Sequence, residues 1–375
     1  MVYDSIVIGA GIAGSSVAYF LSEKKERVLV LDRAGIAHTG GSAAAGAFVS
    51  PKIGKGSSLQ RLTNDAFVFA KDFYLDKFPQ HFLQTGVVRI PKDDDDANKF
   101  STYEAYNYPN YQWVKLEALI ELGIIDSHDS FLFDEAGVCS PKVCEAMLEG
   151  IDFVQTDVKQ PLYKDGHWIV DGYQAYKLIL ATGYESKFFD MRYMGIKGTW
   201  GTRGDYKSSL PLSRSMHKSV SVSANVDGII KIGATHERGK LPCVRCDEES
   251  LKELFAKAST MVDTSDFELI ATYCGMRSSS HDYFPLVGSV IDVCRVLESN
   301  PKLPYGAKLT EPLKYIENLY ICNGLGGRGF VFGPMMGKML ADYIVDGKEV
   351  DEQVNPDRLF LKWCRKSKDL EERRR

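Results

Sequence analysis

Cysteine is scarce in this chain, with eight residues among 375 at irregular spacings. That excludes a disulfide-stapled secreted scaffold and points to a reducing compartment, the cytoplasm. Cys243 and Cys246 form a single C-x-x-C with no second pair to complete a zinc site, so no metal is expected. Excess positive charge is lacking too. With 46 basic and 50 acidic residues the formal charge is -4, so any nucleic acid would have to be met by a local patch. The uncharged residues 5–22 are interrupted by glycine and serine and follow no basic segment. This argues against a signal peptide or membrane span, and no membrane partner is expected. No internal repeat is visible. A hydrophobic content of 44% and a charged content of 26% are those of a soluble globular protein with chain enough for two or three domains.

What is present starts at Ser5, where SIVIGAGIAG joins an apolar strand to Gly9, Gly11 and Gly14 in the G-x-G-x-x-G spacing and then to a helical pattern. In such a unit the first glycine makes the tight turn, the second admits a pyrophosphate and the third packs helix on strand, with phosphates held by the helix N-terminal amides around Ile12 and Ala13. A second strand follows from Arg27 and ends in Asp32, placed to accept hydrogen bonds from an adenosine ribose. Beyond Arg33 comes a run of small residues, Gly35, Gly40, Gly41, Ser42, three alanines and Gly46. Such a run suits close approach to an extended ligand and favours FAD over a nicotinamide cofactor.

Leu59 to Phe78 has helical periodicity. Residues 82–133 change texture, with the acidic run Asp93 to Asp96 read as a solvated loop. Tyr103, Tyr106, Tyr108, Tyr111 and Trp113 are read as half-buried surface or as stacking platforms for nucleobases. A strand from Phe153 to Val158 and another from Tyr176 to Leu180, running into Ala181, Thr182 and Gly183, give further approaches to a cofactor. Residues 195–275 read as β-rich, with a helix from Glu248 to Met261. Near the end, Leu319 to Cys322 is an apolar strand before Gly324, Gly326, Gly327 and Gly329, and a helix is expected from about Pro334. No strand with a terminal acid follows it. The loop therefore reads as a helix N-terminus aimed at the flavin pyrimidine ring, with Arg328 either assisting or facing solvent.

Together these features resemble the D-amino-acid oxidase superfamily of FAD enzymes, and within it the oxidoreductase half of the bifunctional tRNA-modifying MnmC family. The closer match lies in GAFVSPKIGKGSSLQRLTNDAFVFAKDFY from Gly46, CGMRSSSHDYFPLVGSV from Cys274 and LYICNGLGGRGFVFGPMMGKMLADYI from Leu319. The resemblance implies an α/β fold: a Rossmann-like, two-dinucleotide FAD-binding domain (1–81, 135–190 and 276–375) with an inserted, mostly antiparallel substrate domain (82–134 and 191–275). It implies FAD as cofactor, held by Gly9, Gly11, Ile12, Ala13, Gly14, Asp32, Arg33, Gly41, Ser42, Gly46, Val158, Ala181, Gly183, Gly324, Gly326, Gly327, Arg328 and Gly329. The implied reaction oxidises the carboxymethylaminomethyl group on the wobble uridine of tRNA. Its products are an aminomethyl group and glyoxylate, and a separate methyltransferase would act afterwards because no such half precedes the first strand.

Arg277 is the expected carboxylate clamp, because arginine offers a planar bidentate fork and the amino-acid oxidases carry an arginine at the corresponding place. The competing reading pairs it structurally with Asp282 or Asp292. His281 and Tyr283 are further catalytic candidates, with Arg238, Lys52 and Lys55 behind them. From Arg358 to Arg375 there are eight basic residues against three acidic, a tail suited to the anticodon region of tRNA or simply to solvent. Two other functions stay open at this point: a free glycine or sarcosine oxidase, and a flavin-retaining RNA-binding protein without turnover.

Overall fold

Alternation along three apolar strands decides how the first layer packs. The computed structural model of the chain describes residues 2–107, 109–185, 187–242 and 246–366. In it, Val2–Ile8 lies between Val28–Asp32 and Tyr173–Leu180, parallel to both. Val7, Val30 and Ile179 enter one buried cluster, with Val17 and Leu21 of the first helix and Met336 and Leu340 of the last long one. Their neighbours Ile6, Ile8, Leu29, Leu31, Leu178 and Leu180 enter a second cluster on the opposite face. A parallel sheet covered on both faces needs apolar residues at every position, which is why these strands read as continuous hydrophobic runs.

Asp152–Gln155 extends this sheet beyond Val28–Asp32, and the hairpin Leu162–Lys164/His167–Val170 borders Tyr173–Leu180. Tyr315–Asn323 pairs in parallel with the end of Tyr173–Leu180 and carries Leu286–Ile291 antiparallel on its far side. The result is an eight-stranded sheet.

A second sheet of nine strands is antiparallel except where Ser215–His217 meets Val87–Arg89. Its longest pair, Lys197–Lys207 with Glu268–Ser279, was only half legible, because Lys197–Lys207 has no apolar alternation. The strand Glu268–Ser279 runs unbroken across 275/276, so Arg277 stands on this sheet. Phe48–Val49, Gly137–Cys139 and Phe82–Leu83 form a small third sheet.

Two expectations change. Asp94–Glu104 is a helix, not a loop: the Asp93 carboxylate accepts from the Asp96 amide at 2.8 Å, and three further aspartates in the first turn favour the positive end of the helix. Among the nearby aromatics, Tyr111 and the Trp113 indole both donate to Glu104, and Phe100 stacks on Phe131. The basic tail begins as a helix, Asp357–Lys366, with Leu359, Phe360 and Cys364 buried, and Arg358 is paired with Asp282. Tyr108, Cys243 and residues 367–375 lie outside the described residues. Among the described residues no helix is long and apolar enough to cross a membrane, and no group of His, Cys, Asp and Glu is arranged to hold a metal ion.

Candidate active site

Register brings the site together. Ile8 pairs with Leu31 and with Leu180, so Gly9, Asp32 and Ala181 emerge side by side at the carboxyl edge of the sheet. Open α/β sheets bind ligands at that edge. Gly9 has φ +108°, and a Cβ there would lie 2.3 Å from the Ala181 carbonyl oxygen. A Cβ on Gly14 would lie 1.8 Å from the Gly9 oxygen, so Gly14 packs the helix on the turn and does not itself line the cavity. Asp32 accepts from the Ala10 and Ala34 amides at 2.8 and 2.9 Å. A carboxylate has about four acceptor sites, so this leaves capacity for ribose hydroxyls. Ser42 Oγ accepts from the Ile12 amide at 3.0 Å, tying the small-residue loop to the start of the first helix.

That loop has a second neighbour which the sequence did not reveal. A Cβ on Gly275 would lie 2.1 Å from the Gly40 oxygen, and one on Gly41 would lie 3.2 Å from the Met276 oxygen. The small residues therefore bring the strand that carries Arg277 against the cofactor loop. Arg203 adds a latch, with its guanidinium donating to the Ala45 carbonyl and pairing with Asp205.

The last glycine loop forms a short turn, Gly326–Arg328, and the helix begins at Gly329, not near Pro334. Proline inside a helix strands the carbonyl four residues earlier, here that of Phe330. Tyr74, wholly buried, donates its hydroxyl to that oxygen at 2.9 Å. Arg328 turns into the cavity: it is half-buried, donates to the Ser50 carbonyl at 2.9 Å, and loss of solvent pulls it down to about 10.

These elements enclose one cavity of about 1480 Å³, beyond the ~300–1,000 Å³ of ordinary small-ligand pockets. Of the residues expected at a cofactor, Gly9, Gly11, Ile12, Ala13, Asp32, Arg33, Gly41, Ser42, Gly46, Val158, Ala181, Gly183, Gly326, Gly327, Arg328 and Gly329 line it. Gly14 and Gly324 stand behind it. Arg277 and Tyr283 line it, while His281 does not: the strand ends at Ser279, and the following turn places His281 against Gly195 on the surface. Tyr283 is exposed and accepts from Arg238 at 3.2 Å, Lys52 lines the cavity, and Lys55 is outside it.

Arg277 is held in the wall of the cavity. One guanidinium nitrogen donates to the Thr235 carbonyl at 3.0 Å and meets His236 Nδ1 at 2.8 Å. A Cβ on Gly201 would lie 2.3 Å from its other terminal nitrogen, so the glycine makes room for the head group. Burial lowers Arg277 to about 10, and burial first, then the charges of Arg277 and Arg238, hold His236 below its ordinary value and hence neutral. Asp282 is taken by Arg358, and Asp292 caps a helix and pairs with Arg295. Among the described residues no carboxylate lies within ion-pair distance of Arg277.

Asn323 was missed by sequence reading, for want of any motif around it. Its amide donates to the Gly183 carbonyl at 2.8 Å, and its oxygen accepts from Ser278 and from the Gly324 amide. One side chain thus ties the Gly183 turn and the start of the Gly324 loop to the strand that carries Arg277. Arg89, His217 and His236 were missed as well, because they are far apart in sequence: Arg89 and His217 meet only through strand pairing, and His236 lies in the connection before Glu237–Arg238.

The residues present fit FAD. The cavity is long enough in reach to run from Asp32 and Arg33 past the first helix N-terminus to the second at Gly329, and the glycines keep both ends free of side chains. Comparisons agree. Residues 4–343 match the family model described as FAD dependent oxidoreductase, DAO. The bifunctional protein MnmC of tRNA 5-methylaminomethyl-2-thiouridine biosynthesis is 24% identical in Shewanella amazonensis, over 98% of this chain and 61% of that protein. The MnmC of Legionella pneumophila is also 24% identical, over 91% of this chain and 54% of that protein. The chain thus spans little more than half the length of these relatives. In fold it is similar to glycine oxidase from Bacillus cereus (TM-score 0.76, 20% identity, 92% of this chain and 96% of that one). It is similar too to iminodiacetate oxidase from Chelativorans sp. BNC1 (TM-score 0.74, 19% identity, 94% and 98%). With a family match over most of its length and a glycine-lined, dinucleotide-sized cavity, the chain belongs to the FAD dependent oxidoreductase (DAO) family, an enzyme whose cofactor is FAD.

Proposed function

We propose that this chain oxidises the carboxymethylaminomethyl group on the wobble uridine of tRNA, a CH–NH donor, to leave an aminomethyl group and glyoxylate. The observation that carries the reading is Arg277, a half-buried cation in the cavity wall with no carboxylate partner among the described residues. An N-substituted glycine brings the missing carboxylate. The likeness to MnmC over nearly the whole chain supports the nucleotide to which that glycine is attached. FAD, when bound, supplies the two-electron acceptor.

The chain's residues do the rest. Arg277 takes the carboxylate in a bidentate grip, and the Thr235 carbonyl and neutral His236 fix the guanidinium, so the adjacent CH2 is held at one distance and angle. The buried wall keeps the substrate amine in its neutral form, with its lone pair available as hydride leaves the carbon. Water then adds to the resulting C=N bond and the C–N bond breaks, giving amine and glyoxylate. Tyr283 and Arg238, joined by a hydrogen bond at the mouth, are placed to meet the rest of the substrate. The cofactor-binding roles belong to the lining residues above. The assignment of 1–81, 135–190 and 276–375 to FAD and of the remainder to substrate goes with this reading, as do a cytoplasmic location, contact with the anticodon region and a separate methyltransferase acting next.

Incubation with tRNA from a strain lacking this step, followed by nucleoside analysis, tests it. Aminomethyluridine and glyoxylate are expected, and an unchanged nucleoside overturns the proposal. Peroxide from glycine or sarcosine alone would favour a free amino-acid oxidase. Flavin and tRNA retained together without any bleaching would favour a binding protein.

A further inference from the structure

The cavity holds more positive charge than one carboxylate needs. Besides Arg277, the cations Arg89, Lys52 and Arg328 line the same cavity, together with His217. Arg89 and His217 face each other in register on paired strands, and Arg328 reaches the Ser50 carbonyl while His217 meets the Ser50 hydroxyl. Arg89 is half-buried and makes no side-chain hydrogen bond to the described residues, and its Nε is buried without a partner. Burial lowers all three cations, and each of Lys52 and Arg328 is pushed further by its cationic neighbours. Asp96, whose charge reaches Arg89, is engaged by the Lys92 amide and the Tyr103 hydroxyl.

Buried cations without counter-ions are costly unless something brings the opposite charge. Among the described residues no carboxylate lies within ion-pair distance of Arg89, Lys52 or Arg328. The turn Gly326–Arg328, which carries Arg328, also borders Arg277, since a Cβ on Gly327 would lie 3.8 Å from the Arg277 side chain.

We propose that Arg89, Lys52 and Arg328 form a second anion clamp, so that the substrate carries one acidic group for Arg277 and another, carboxylate or phosphate, for this triad. The inference rests on reading the cavity as an amine-oxidising site, and it narrows the substrate to a secondary amine with acid on both sides. The nucleotide's own phosphate and a second carboxylate arm are the two sources of that chemistry.

Calorimetry of the FAD-loaded enzyme with probes that cannot be oxidised at nitrogen separates them: glycolate with one carboxylate, diglycolate with two, and inorganic phosphate. A second carboxylate arm predicts that diglycolate binds at least about tenfold tighter than glycolate, the value of one charge-assisted contact. A phosphate predicts that phosphate and glycolate bind at the same time. In either case Arg89→Met removes the second-anion binding while glycolate binding holds, Arg277→Met does the reverse, and Arg89→Lys restores what Arg89→Met lost. If Arg89→Met, still loaded with FAD, binds every probe like the parent, or if all probes compete for Arg277 alone, the clamp is overturned. Failure to convert tRNA would leave these binding results standing, so the two readings fail separately.

Discussion

The hydroxyl of Tyr74 donates to the carbonyl of Phe330, the oxygen that Pro334 has no N–H to reach. A residue of the helix Ser58–Lys77 therefore completes the helix Gly329–Asp346 at its proline, one turn from the cavity. Tyr74→Phe leaves that oxygen buried and unpaired, which costs about 1–3 kcal/mol. Urea unfolding should show a lower midpoint with unchanged slope. An unchanged midpoint would mean that the carbonyl is satisfied otherwise.

Arg277→Lys keeps the charge but loses the planar fork. The substrate carboxylate should be held by one contact in place of two, lowering kcat/KM between about tenfold and a hundredfold. FAD content should match the parent, because the guanidinium bonds only to Thr235 and His236. A colourless protein would show that the arginine is structural.

Gly201→Ala tests the same clamp from across the sheet. The new methyl would meet the end of the Arg277 side chain at 2.3 Å, and a flexible side chain can move where backbone cannot. The protein should fold and hold FAD with a raised KM. Gly14→Ala is the contrast: its methyl meets the backbone oxygen of Gly9 at 1.8 Å, so soluble yellow protein should be lost altogether.

His217 makes stability fall in acid. Burial first, then Arg89 and Arg328, hold it well below its ordinary value of 6.5, so the folded state keeps it neutral. Below about pH 6.5 the unfolded chain binds a proton that the folded one does not, and stability is lost as pH falls through that range. His217→Asn should flatten the slope of Tm against pH between pH 7 and 5. His128 has the opposite sign: Asp94 and Asp126 raise it, so it stabilises in acid and loses that contribution as pH rises. His128→Gln should steepen the slope that His217→Asn flattens.

The cofactor half of the site was legible because its rules are local. A strand, three glycines, a helix and an acid follow one another within residues 5–32, and sequence spacing sets their geometry. The substrate half was less so. Arg277 could be named from the residues around it, but its freedom from Asp282 depends on Arg358, distant in sequence, taking that carboxylate. His281, four residues on, looked equally placed until the turn after Ser279 carried it to the surface.

By itself, then, the sequence determined a dinucleotide fold with its glycine turns and the apolar strands buried on both faces, and it singled out Arg277 as the candidate clamp. The tertiary structure alone decided that Gly275 packs the arginine's strand on the cofactor loop, that Asn323 ties the Gly183 turn to that strand, and that Arg89, Lys52 and Arg328 line one cavity. The physical reason is range. Turns and strand alternation follow from neighbours in the chain, whereas which side chains meet in the cavity depends on which distant strands fall into register, and Arg89 beside His217 is the plainest case.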